Sequence, residues 1–412
     1  MREKTNALRF NDKTFLLHPF TVFSIVWLTV VFLYSLHLSK LLRYSTSEVV
    51  RVTGYIWLPF VGVIFAYTAF HHFTKLAYRP RPDAVRVNFD LLERRLTTWF
   101  RVWVLISVVE VLVSGGIPIV WLVQHSAKTY VDFGITSVHG LVNSLLASLA
   151  ICRFALYLIT GERKHLRVPV FVVVWSVLVV TRQLMLESLL EYAVVFLSIK
   201  RIRPGTIARI AVSVLLVILV FGFVGNLRSG SEQFRSLAEP TAQYPDWLPS
   251  GVLWVYIYMT TPVNNLVYTM HSFPPLNNLL FPNTLATLLP TFLRTIVYGN
   301  QLSQAESGNL ITQAFNVSTA YLGPYEDYGL FGIVLLSILT SFACQFFWYR
   351  SKLRDLLIFA VLTQCLVLTL FFNLFFALPV ITQVVWLSYF FMPEVRLGKS
   401  NTPQRAEKRA LA

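Results

Sequence analysis

Residues 316–332, NVSTAYLGPYEDYGLFG, set two adjacent carboxylates, Glu326 and Asp327, at the mouth of a long apolar segment. A carboxylate in hydrocarbon is costly, so these groups must face water, a partner or a substrate. Asp327 has the chemistry of a general base for an acceptor hydroxyl. The plainer role is to sit at the positive N-terminal end of a helix, and this is the favoured one for Glu326. Tyr321 and Tyr325 offer flat apolar faces on which a sugar can lie. The glycines at 323, 329 and 332 permit close approach of chain or ligand.

Four arginines stand out: Arg182, Arg228, Arg235 and Arg294. A guanidinium binds phosphate through two parallel hydrogen bonds, so together they suit an anionic ligand such as a lipid pyrophosphate. The competing role is snorkelling to headgroups, or pairing with Glu187 or Glu191. Those two carboxylates sit four apart on one helix face, and either position a base or neutralise Arg182. His139 and His271 titrate near neutrality and are further base candidates, although a lone histidine at a helix end is more often structural. His71 and His72 lack a third metal ligand. Cys152, Cys344 and Cys365 fall within apolar runs and read as small buried hydrophobes. No metal and no cofactor are expected. The chain has no Walker loop, GxGxxG, Asp-x-Asp, GxSxG or HExxH sequence. Any substrate must therefore arrive from the membrane rather than through a nucleotide-binding domain. The sequon at Asn316 is read as chance.

The elements that must position these residues are membrane helices. Of the 412 residues 55% are hydrophobic and only 13% charged, and the mean hydropathy is +0.60. A soluble domain carries about 25% charged residues. The expected fold is all-α, a single polytopic membrane domain over residues 1–412. Apolar runs lie near 15–39, 53–76, 99–123, 136–160, 206–226, 328–349, 355–377 and 379–396. The first reads as an uncleaved span. The run 168–199 is longer and carries Arg182, Glu187 and Glu191. Both its flanks are basic, so it reads as a tight hairpin bending near 181–186. That gives about ten spans with both termini cytoplasmic.

The net charge of +15 collects in alternate loops, at 75–101, 163–167, 200–209, 350–354 and the tail from 396. This is the positive-inside pattern, not a nucleic-acid face. The segment 227–326 is then a large extracytoplasmic loop. Within it 251–268 and 284–298 read as interfacial or re-entrant amphipathic helices, the first interrupted by Pro262, Asn264 and Asn265. No internal repeat with paired broken helices points to a transporter.

SGGIPIV at 114–120 and TYVDFGITSVHGLVNSL at 129–145 open a series of ordered fragments. TRQLML at 181, FGFVGNLRSG at 221, YIYMTTPVNNL at 256 and the motif at 316 follow in turn. In order and spacing the series resembles bacterial oligosaccharide repeat-unit polymerases of the Wzy type, over roughly residues 15–395. The resemblance implies a GT-C-like glycosyltransferase of the inner membrane with its active site facing the periplasm. It would move a glycan from undecaprenyl pyrophosphate onto the sugar end of a second lipid-linked repeat unit, building O-antigen, capsule or a related polysaccharide. The reading of the residues fits this: the four arginines can contact the pyrophosphate, and the base candidates are Asp327, His139 and Glu187. Tyr321, Tyr325 and Asn264 are the candidate glycan contacts. The implied partners are the two lipid-linked glycans, membrane lipid and a chain-length regulator. An O-antigen ligase is the alternative within the enzyme class, and a lipid-linked glycan flippase the alternative outside it.

Overall fold

The computed structural model describes residues 15–77, 87–200, 205, 231–245, 247–248, 250–299, 310–312, 315, 317–350 and 352–392. Among these residues the regular structure is helical, and the only described bridge outside helices joins Ser39 to Pro240. We name the helices α1 (Pro19–Ser35), α2 (Thr46–Ala77), α3 (Phe89–Ser114), α4 (Pro118–Val123), α5 (Val138–Thr160), α6 (Arg167–Leu178) and α7 (Arg182–Ile199). After a gap come α8 (Ser231–Ala238), α9 (Ser250–Ser272), α10 (Pro282–Leu285), α11 (Thr291–Tyr298), α12 (Leu322–Trp348), α13 (Leu353–Leu368) and α14 (Leu378–Phe390).

Local signals set the helix starts. His18 Nδ1 accepts from Phe20 N at 3.3 Å, and Pro19 fills the first turn of α1. Ser45 and Glu48 bond each other's backbone N–H ahead of α2. The Asn88 side chain accepts from Leu91 N at 3.0 Å ahead of α3.

Two groups of helices pack side by side. One holds α1, α2, α9 and α12; the other holds α3, α5, α6, α7 and α14 around α5. Helix α13 touches both, against α1 and α12 on one side and α7 and α14 on the other. Its sequence is apolar almost all round, and nearly every residue is buried, which suits a helix enclosed by others. In lipid such packing gains dispersion contacts, about 0.1–0.2 kcal/mol per atom pair, rather than transfer energy from water.

Among the described residues four helical stretches are long and apolar enough to cross a membrane: Thr46–Thr74, Phe89–Val123, Val138–Thr160 and Leu322–Trp348. Pro19–Ser35 and Leu378–Phe390 are shorter apolar helices. Large apolar side chains such as Phe32, Leu58, Phe65, Leu105 and Leu112 face outward. The described residues are thus helical, with the apolar spans of a membrane protein. The run expected at 206–226 lies outside the described residues.

The run 168–199 does divide into two helices, α6 and α7. The break comes slightly before the expected bend, at 179–181, where Val180 takes a left-handed φ of 57°. Both limbs pack on α5 and on each other. The large loop differs from expectation in one respect. Pro262, Asn264 and Asn265 do not interrupt α9, which runs unbroken and buries one face against α1, α2 and α12. The Asn264 and Asn265 side chains bond across to other segments, so a helix with a polar stripe is at home in the bundle. Helix α11 is amphipathic as expected, with Phe292, Ile296 and Val297 exposed.

Candidate functional site

Within the motif, residues 322–332 form a kink. Tyr328 (φ −150°, ψ 28°) and Gly329 (φ 61°, ψ −143°) break the helical path of α12. The break releases two carbonyls, and the loop binds them: Leu276 N donates to Glu326 O at 2.7 Å and Asn278 N to Asp327 O at 2.9 Å. The kink folds the chain onto itself so closely that a Cβ at Gly332 would lie 1.9 Å from Pro324 O.

The Asp327 carboxylate is fully buried. Its Oδ1 accepts from Asn283 N at 2.9 Å, and its Oδ2 from Thr284 N at 2.8 Å and Thr284 Oγ1 at 2.7 Å. It therefore caps the first turn of α10 rather than the helix that carries it. The charge at the helix mouth faces neither water nor lipid but a cradle of donors from the loop. In this arrangement it has no path to an acceptor hydroxyl.

The proposed glycan contacts are also turned inward. Tyr321 is fully buried, edge-on to Trp27 at 5.7 Å. Tyr325 donates to Met270 O at 3.1 Å and anchors the end of α9. Asn264 accepts from Tyr34 Oη at 2.8 Å and donates to Leu41 O at 2.9 Å, which fixes the turn between α1 and α2. Burial of an aromatic ring or a fully bonded amide leaves no face for a sugar.

His139 is placed differently. It opens α5 and keeps 24% of its side-chain surface exposed. Its Nδ1 lies 3.2 Å from Glu110 Oε2, a carboxylate buried in α3. A carboxylate only accepts, so Nδ1 carries the proton and Nε2 bears the lone pair. Asn143 Nδ2, one turn on, meets Nε2 at 3.0 Å. The loop before α5 completes the setting. Gly134 N donates to Ser114 Oγ at 2.8 Å and Ile135 N to Glu110 Oε1 at 3.3 Å. Gly134 has φ +88°, and a Cβ there would strike the His139 ring at 2.6 Å. Phe133 closes the side, edge-on to the imidazole at 5.3 Å.

The same loop that Asp327 anchors reaches this end. Thr291 N donates to Ser137 Oγ at 2.9 Å, which starts α11 beside His139. Thr287 Oγ1 donates to Phe376 O at 2.9 Å. Arg294, on α11, is partly exposed, and its Nε donates to Ala286 O at 3.1 Å. Lys128 adds a second cation, with Nζ 2.8 Å from Ser114 O and over the Trp121 ring.

The other candidates are dispersed. Arg235 is exposed on α8, and Arg182 begins α7. Arg228 lies outside the described residues. Glu187 accepts from Gln183 Nε2 at 2.8 Å on the outer side of α7, and Glu191 is buried against α14 through Gln383. His271 is 3.3 Å from Glu48 and stacks on Tyr44. Sequence reasoning missed Glu110 and Asn143. Glu110 did leave a signal, as the sole acidic residue in the apolar run 99–123. The opposite end of α5 is the basic one, where Arg153, Lys164 and His165 gather on Glu93. Burial holds the His165 imidazole below its ordinary range.

Comparisons with family models, with curated proteins and with solved structures give no match.

Proposed function

We propose that the chain is a lipid-pyrophosphate-dependent glycosyltransferase, a polysaccharide polymerase of about ten spans and GT-C-like architecture. It works at the extracytoplasmic face of the bacterial inner membrane. It moves a glycan from undecaprenyl pyrophosphate onto the free sugar end of a second lipid-linked repeat unit. The observation that carries this reading is the His139–Glu110 pair, a partly exposed imidazole with its tautomer held by a buried carboxylate. It stands at the end of α5 opposite the basic cluster. In this reading the acceptor hydroxyl displaces the Asn143 amide from His139 Nε2, which then takes the hydroxyl proton, and Glu110 stabilises the imidazolium that forms. Such a base contributes a factor of about 10²–10⁴. Arg294, whose helix starts beside His139, would neutralise the departing pyrophosphate without a metal. Asp327 serves by holding the 276–298 loop in place.

The test is complementation of a deletion strain with His139→Gln and Glu110→Gln, read on a glycan gel. The polymerase reading expects single-repeat glycan from both, with the protein present in the membrane. A normal ladder from both variants refutes the assignment. Loss of all glycan from the lipid core would indicate a ligase instead, and lipid-linked repeats trapped on the cytoplasmic side a flippase.

A further inference from the structure

The side chains of α3 divide between two faces. Leu92, Leu96, Trp103, Ser107, Glu110 and Ser114 are buried in the bundle. On the opposite face Arg94, Thr98, Arg101, Leu105, Val108 and Leu112 are all exposed. Their alternating spacing of four and three residues sets them in one line along the helix. The line begins polar and ends apolar. From Arg101 to Leu112 the helix rises about 16 Å, close to the depth of one leaflet's hydrocarbon, about 15 Å.

At the polar end Arg94 and Arg101 line one open groove, together with Asp90, Glu93, Thr97 and Thr98. The other cations nearby are engaged. Lys164 Nζ lies 2.9 Å from Glu93 and 2.9 Å from Glu162. Arg153 is held by Thr97, His165 and Glu93, and Arg95 Nη1 donates to Tyr389 O at 3.0 Å. Arg94 and Arg101 form no ion pair among the described residues. The two carboxylates of the groove do not cancel them. Asp90 lies in the first turn of α3, where the positive end of the helix compensates it. Glu93 is already neutralised by Lys164 and Arg153. Two unpaired guanidiniums at the head of an apolar stripe match an anion that carries a hydrocarbon chain.

We propose that this face of α3 binds an anionic phospholipid. Arg94 and Arg101 hold the phosphodiester, and an acyl chain lies along Leu105, Val108 and Leu112. A zwitterionic headgroup fits less well, because its own ammonium would be set beside two guanidiniums. The site is at the end of α3 away from His139. Glu110, which bonds His139, stands about 24 Å along the helix from Arg94. The proposal therefore does not rest on the transferase reading.

The experiment is native mass spectrometry of the full chain in detergent, titrated with phosphatidylglycerol, phosphatidylcholine or inorganic phosphate. Phosphatidylglycerol should bind more tightly than phosphatidylcholine, and equimolar phosphate should not displace it. Arg94→Gln combined with Arg101→Gln should weaken phosphatidylglycerol binding by about 10- to 30-fold. Arg163→Gln combined with Arg167→Gln removes the same charge from exposed positions at the same end of the bundle, and should leave the affinity unchanged. Equal affinity for the two lipids, or an equal loss in both double variants, overturns the proposal. Displacement by phosphate overturns the lipid assignment in favour of a free anion. The comparison of the two lipids on the unaltered chain decides the matter even if the Arg94 and Arg101 double variant fails to fold.

Discussion

Asp327→Asn distinguishes an anchoring carboxylate from a catalytic one. At an ordinary helix N-cap, asparagine replaces aspartate with little loss. Here both oxygens are committed, one to Asn283 N and the other to Thr284 N and Oγ1. An asparagine oriented to keep the Thr284 pair turns its NH2 group toward Asn283 N–H. One buried donor then loses its acceptor, and the bonds that remain lose their charge assistance. The loss is about 2–3 kcal/mol, from about 1–3 for an orphaned buried group plus the weakening of its neighbours. That corresponds to a roughly 30- to 150-fold rise in the open population of the loop, at 1.36 kcal/mol per decade. Hydrogen exchange on the protein in detergent or nanodiscs reads this directly at the amides of 276–288. The expected result is faster exchange there, with the amides of α5 unchanged, and activity falling in step with loop opening. Unchanged exchange at 276–288 together with a loss of activity of about 10²-fold or more would refute the anchoring role and restore Asp327 as the base.

Three further outcomes follow from the geometry. Asn264→Ala strips partners from Tyr34 Oη and Leu41 O in a buried site, so it should lower stability by about 1–3 kcal/mol in a thermal melt without selectively altering glycan length. Gly332→Ala forces a Cβ into Pro324 O and should abolish the monodisperse peak on size-exclusion chromatography, whereas Gly54→Ala, with nothing within 4 Å, should leave it unchanged. His165 has its pKa lowered from 6.5, chiefly by burial, so the folded state binds a proton less readily than the unfolded chain. Its contribution is intact above the unfolded value and is lost as pH falls from there through the folded value. His165→Gln should therefore flatten that acid limb of the melting curve, and an unchanged limb would show that another group is responsible.

The sequence by itself determined the class of protein and most of its helices. Low charge and apolar runs of about 20 residues leave few alternatives to membrane helices, because backbone polar groups in lipid must be satisfied within the segment. The basic flanks of 168–199 were enough to divide it into two limbs, and the structure breaks it at Val180. The sequence also marked the residues around 316–332 as exceptional. What it left open was the direction in which each polar side chain turns. Asp327 meets residues 283 and 284, Asn264 meets 34 and 41, and His139 meets 110, all distant in sequence. Periodicity and residue type report which groups need a partner; only the packing of α3 on α5, and of the loop on the α12 kink, decides which partner each one finds.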